Sequence, residues 1–159
     1  MPTTEELSNQ YERQHLLQQE AMASDIRRYF DEVLKKLNPL IEAHAPIAAI
    51  NRKLNLLARE LARKTTLRIE KSMETSWTIA NTKNRAIIEE KYKGQELPEL
   101  AKKALKDQRT KAFEQFVARK EGGLDLSQRV WKSVEQYKEV LAEHIQDGLE
   151  EGRPAAEMR

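Results

Sequence analysis

The stretch Ile47–Leu61, "IAAINRKLNLLAREL", is the one on which the fold turns. Its apolar positions Ile47, Ile50, Leu54, Leu57 and Leu61 step by three, four, three and four. That is the spacing of one face of an α-helix; a half-buried strand would alternate instead. A seam this regular predicts a helix packed on another helix. The run carries no Gly or Pro as far as Lys93. Thr65 and Thr66, then Thr75, Ser76 and Thr78, lower helix propensity, and they predict a bend or short break between Trp77 and Asn84.

Working outward, the segment from Glu5 to Leu37 also lacks Gly and Pro, and Ile26, Phe30, Val33 and Leu37 step by four, three and four. Residues 1–23 are more polar and are expected to form a helical extension that frays. Asn38-Pro39 pairs a capping residue with a proline, which predicts a break or kink there, and Pro46 gives a second signal of the same kind. Downstream, Gly94 and Pro98 in "YKGQELPEL" mark a turn between helices. Leu100, Leu105, Phe113, Phe116 and Val117 then mark a shorter helix that ends at Gly122-Gly123. The last helix carries Val130, Val134, Tyr137, Leu141, Ile145 and Leu149 as a stripe, with Gly148 and Gly152 as its expected terminators and Pro154 as the start of a further helix.

The start of that last helix has two candidate caps. Ser127 can accept from the free N–H groups of the first turn, with Leu126 just outside as a staple, and Asp125 competes for the same role two residues earlier. In either register Trp131 falls at the beginning of the helix, as a core anchor or as a surface held ready for a partner.

Composition agrees with helices. Of 159 residues 34% are charged and only 6% aromatic, which suits amphipathic helices better than a sheet. No repeat or alternating run argues otherwise, so the fold expected is all-α, an elongated bundle of about four or five helices. Lys and Arg exceed Asp and Glu by only 28 to 26, so the chain as a whole carries no strong field toward nucleic acid or membrane. There is no cysteine, which removes thiolate chemistry and Cys-based zinc sites. No apolar run approaches the roughly 18 residues of a membrane span.

The sequence offers little for catalysis. Glu139, Glu143 and Asp147 step by four beside His144, but helical-bundle metal sites need carboxylates and His converging from several helices, and this stripe is expected to be a solvated face. His15, His44 and His144 are scattered, and no phosphate loop or nucleophile elbow is present. No enzyme activity, metal, cofactor or small-molecule substrate is expected.

A known family enters through two elements. "FVARKEGGLDLSQRVWKSVEQYKEVLAEHIQDGLEEGRPAAEMR", ending at Arg159, and Trp77-Thr78-Ile79-Ala80-Asn81-Thr82-Lys83-Asn84-Arg85 upstream, resemble the phage head morphogenesis family, the Mu F-like minor capsid proteins. The positions that carry the likeness include Trp77, Asn81, Lys83, Asn84, Leu126, Ser127, Arg129, Val130, Trp131, Gly148, Gly152 and Arg153. Ala80, Arg85 and Pro154 depart from the family's usual Ser, Asp and Ser. The resemblance covers about half of the chain, from Trp77 onward, and implies that residues 24–159 form the helical N-terminal domain of such a protein, cut off before the family's usual C-terminal domain. It implies a structural role near the portal during capsid assembly, with portal or capsid proteins as partners. It places the protein in the virion, at the head interior or portal region, and in the host cytoplasm during assembly. Self-association through uncovered apolar surface is a further expectation, as is a frayed C-terminus.

The alternative is a helical DNA-binding module. Local excesses of positive charge lie at 51–71 and 102–120, and Arg52, Lys53, Arg59, Arg63, Lys64, Lys102, Lys103 and Lys106 are its candidate phosphate contacts. No aromatics interleave with these residues, so base stacking is not indicated.

Overall fold

The structure is a computed structural model that describes residues 2–106 and 111–152, apart from the side chains at 104–106 and 111–112. Among the described residues there are five helices and no strand: α1 (Thr4–Glu42), α2 (Ile47–Lys91), α3 (Glu99–Lys106), α4 (Lys111–Val117) and α5 (Leu126–Glu150). The fold is all-α. None of these helices is long and apolar enough to cross a membrane.

The helices α1 and α2 outrun the expected break points for physical reasons. α1 begins with a capping box: the Glu6 N–H donates to Thr3 Oγ1 at 3.1 Å, and the Thr3 N–H donates to Glu6 Oε2 at 2.7 Å. It continues through Asn38-Pro39 to Glu42, so of the break or kink expected there the break does not occur. Pro39 removes one N–H from the ladder, but Asn38 and the flanking Leu37 and Ile41 are buried, and that packing carries the helix one more turn. The reversal comes instead at 43–46, where His44 adopts φ 51° and the Ala45 N–H reaches back to the Leu40 carbonyl at 3.0 Å. Pro46 then opens α2, its carbonyl accepting from the Ala49 and Ile50 N–H groups.

Of the bend or short break expected between Trp77 and Asn84, the break is absent, since α2 is unbroken to Lys91. The hydroxyls of Thr75, Thr78 and Thr82 donate to the carbonyls four residues back at 2.9–3.0 Å. Bonded in this way, they stop competing with the helix for the backbone. α2 ends where Gly94 takes φ 74°, as the turn chemistry predicts.

The chain divides into two units, one of residues 1–23 and 69–119, the other of residues 24–68 and 120–159. In the second unit three apolar stripes are buried: Val33, Leu37 and Ile41 of α1; Ile50, Leu54, Leu57 and Leu61 of α2; and Val130, Val134, Leu141 and Ile145 of α5. Each such side chain contributes roughly 1.5–3 kcal/mol relative to exposure. Ile47, the first member of the predicted seam, is exposed, because it sits at the open N-terminus of α2. Phe30 and Tyr137 meet edge to face with centroids 4.7 Å apart, joining α1 to α5. At the margin, Lys64 bridges Glu32 of α1 at 3.3 Å and Glu60 of its own helix at 3.2 Å.

In the first unit Phe113 of α4 is buried against Trp77 of α2, centroids 5.3 Å apart. Leu100, counted in the apolar stripe of this region, is exposed at the first turn of α3. Within the stretch expected as one helix from Leu100 to Val117, α3 and α4 are helical, and residues 107–110 lie outside the described residues.

Candidate functional site

The Trp77 element lies in the first unit. There α1 and α2 are clasped by Gln18, whose amide nitrogen donates to the Ser72 carbonyl oxygen at 2.8 Å and also to the Ser72 hydroxyl. The Ser76 hydroxyl donates to Gln18 Oε1 at 3.4 Å. Beside this clasp opens a cavity of about 450 Å³. Its apolar wall comes from Met22 of α1, from Ile69, Met73, Trp77 and Ala80 of α2, and from Phe116 of α4. The four α2 residues step by four, four and three and so share one helical face.

Among the described residues no ionisable side chain lines this cavity; its polar members are Gln19, Ser72 and Ser76. What the cavity can do is receive apolar side chains, with the thioethers of Met22 and Met73 adapting to the shape that enters. Two further features make the site more than a packing gap. The Trp77 Nε1–H is buried without a hydrogen-bond partner, and Phe116 is 40% exposed under the Arg119 guanidinium, which lies 4.3 Å from its ring centroid.

No family model, curated protein or solved structure matches the chain.

The Trp131 element lies in the second unit and starts in a tight reversal. Gly122 and Gly123 both take positive φ, 59° and 79°, while Glu121 and Leu124 exchange backbone hydrogen bonds of 2.9 and 3.1 Å. Arg129 pairs with Glu121 and holds the reversal against α5. The cap is Asp125, with the Gln128 N–H donating to Asp125 Oδ1 at 2.8 Å and the Gln128 side chain accepting from the Asp125 N–H at 3.0 Å. Ser127 is thus displaced from the role of cap: once the carboxylate and Gln128 satisfy each other in a box, the helix starts at Leu126, and Ser127 is exposed in its first turn. Trp131 is half-buried, beside the buried Val130.

The remaining motif residues separate. Asn81 and Lys83 are half-buried and Asn84 is exposed, all on α2 in the first unit. Leu126 is half-buried. Gly148 does not terminate α5: it is buried within the helix, one turn after Ile145 on the same stripe, where the absence of a side chain suits a packed face. Gly152 does follow the helix, at φ 69°. Arg153, with the expected helix at Pro154 and the expected C-terminal fraying, lies outside the described residues.

Some of the basic residues are held in ion pairs and others are exposed. Lys64 is engaged with Glu32 and Glu60, and Arg68 with Asp25 at 2.8 Å. Lys102 is engaged with Glu96 at 3.6 Å and Glu99 at 3.4 Å. Arg52, Lys53, Arg59 and Arg63 are exposed on α2 in the second unit; Lys103 is exposed on α3 in the first, and the side chain of Lys106 lies outside the described residues. Arg52, Arg59 and Arg63, seven and four residues apart, share a face, and Lys53 and Lys64 lie about 100° round the helix from it.

Sequence reasoning missed the cavity. Its α2 face carries Ser72 and Ser76 between Ile69, Met73 and Trp77, so the apolar spacing is diluted, and Met22 and Phe116 join it only through the tertiary fold. The acidic residues Glu139, Glu143 and Asp147 are exposed, and among the described residues no group of His, Asp and Glu is placed to hold a metal.

Proposed function

We propose that this is a structural minor head protein of a phage or prophage, acting in capsid assembly near the portal through helix-mediated protein contacts. The observation that carries the reading is the open apolar cavity at Trp77, since it is built on the same element, Trp77 to Asn84, that resembles the Mu F-like minor capsid proteins. A groove walled by Trp, Phe and two Met, with no ionisable lining among the described residues, suits the apolar face of a partner helix better than a substrate. The partner on this reading is a portal or capsid protein, and the role is assembly rather than catalysis.

Co-expression with the portal and capsid proteins of the same genome tests this. The chain is expected to copurify with one of them, and Ala80→Glu, which puts a charge into the cavity without removing a packed side chain, is expected to abolish copurification at unchanged helix content. Failure of the unaltered chain to join any head component during assembly would overturn the reading.

A further inference from the structure

We propose that copies of this chain associate with one another, the basic outer face of α2 on one copy docking against the acidic outer face of α5 on the next. The inference stands on the second unit alone and does not depend on the cavity at Trp77. On α2, Arg52, Arg59 and Arg63 are exposed on one face, with Leu56 between the first two and 62% exposed. On α5, Glu139, Glu143 and Glu150 are exposed on one face, with Val140 at its margin and 66% exposed. Among the described residues none of these six charged side chains is in an ion pair; Glu150 accepts only from the neutral Gln146 amide, at 3.3 Å.

The spacing makes the two faces fit. The arginines are separated by seven and four residues and the glutamates by four and seven, which at helical rise is about 10.5 and 6 Å, then about 6 and 10.5 Å. Laid antiparallel, Arg63 meets Glu139, Arg59 meets Glu143 and Arg52 meets Glu150. A parallel arrangement breaks this register. Charge of both signs on one small unit, with a net charge of only +2 for the chain, also disfavours a long polyanion such as duplex DNA as the occupant of the α2 face, because the α5 carboxylates would repel its phosphates. Since the two faces differ, the contact is heterologous and closes as a ring or continues as a chain according to the rotation it imposes.

Sedimentation velocity on the full chain tests this, together with two charge-reversed variants. One is Arg52→Glu, Arg59→Glu and Arg63→Glu; the other is Glu139→Arg, Glu143→Arg and Glu150→Arg. All six positions are exposed, so both variants are expected to keep the helix content of the parent. The parent is expected to associate at about 0.1 M salt and to dissociate at about 1 M, where the screening length shrinks to about 3 Å. Each variant alone presents like charges on both faces and is expected to associate about tenfold more weakly or not at all, while an equimolar mixture of the two recovers association. A monomeric parent at low salt and high concentration would overturn the proposal, as would variants that associate like the parent or a mixture that recovers nothing. So would a parent that stays monomeric yet binds duplex DNA through the three arginines.

Discussion

Arg68 and Asp25 are joined by a 2.8 Å hydrogen-bonded ion pair that ties α2 to α1, and the arginine side chain is only 16% exposed. Asp25 also receives Arg28 at 3.2 Å from within its own helix. Such a pair sits between the surface regime, where pairs contribute little, and the buried regime, where a stranded partner is costly. Arg68→Ala is therefore expected to destabilise the fold by about 1–2 kcal/mol, read as a lower urea midpoint, whereas Arg28→Ala, whose side chain is mostly exposed, should shift it by under about 0.5 kcal/mol.

The Lys64 cluster gives the stability profile its pH dependence. The Lys64 hydrogen bond, followed by the charge of Lys36, holds the Glu60 carboxyl below its usual 4.5, so its contribution is present above that value and is lost as pH falls through the depressed one. Glu60 and Glu32, as hydrogen-bond partners, hold Lys64 above its usual 10.5, so its contribution is full below 10.5 and is lost as pH rises through the elevated value. Burial, with Asp31 adding repulsion, raises Tyr137 above 10.0, which also favours the folded state less as pH climbs past that point. Urea midpoints measured across pH should fall at both ends, and Lys64→Met should flatten the acid side. The effect will be small, because Glu60 and Lys64 both keep contact with water.

Thr65 supplies a test of opposite sign. Its residue is buried in α2 and its hydroxyl oxygen has no hydrogen-bond partner. Thr65→Val keeps the shape and removes the stranded polar atom, so it should stabilise the fold by about 1 kcal/mol, seen as a higher melting temperature.

The two candidate caps of α5 can be separated by mutation. Asp125→Ala breaks the capping box and should cost about 1 kcal/mol, while Ser127→Ala, at an exposed position outside the box, should be near neutral in the same denaturation assay.

Legibility in the sequence followed the range of the interaction. The stripes at 50, 54, 57, 61 and at 130, 134, 141, 145 were readable because a single helix face was apolar without interruption, and these positions are buried. Helix ends were less readable. Pro39 and the threonines after Lys71 are local signals for a break, and burial around Leu37 in one case and hydroxyl-to-carbonyl bonds in the other outweigh them. The cavity at Trp77 was not readable at all, since Met22, Met73 and Phe116 come together only once three helices pack, and nothing in their local spacing announces it.

The connectivity of the two units has a consequence for synthesis. Residues 24–68 must await residues 120–159 to complete their core, and the N-terminal segment must await residues 69–119. At the ribosome, roughly 5–20 residues per second emerge, so Leu37, Ile50 and Leu54 wait several seconds before α5, which belongs to the same unit, is made. Translation that stops short of Leu126 should thus release greasy, aggregation-prone chains, and the nascent polypeptide is a natural client for a chaperone until α5 is made.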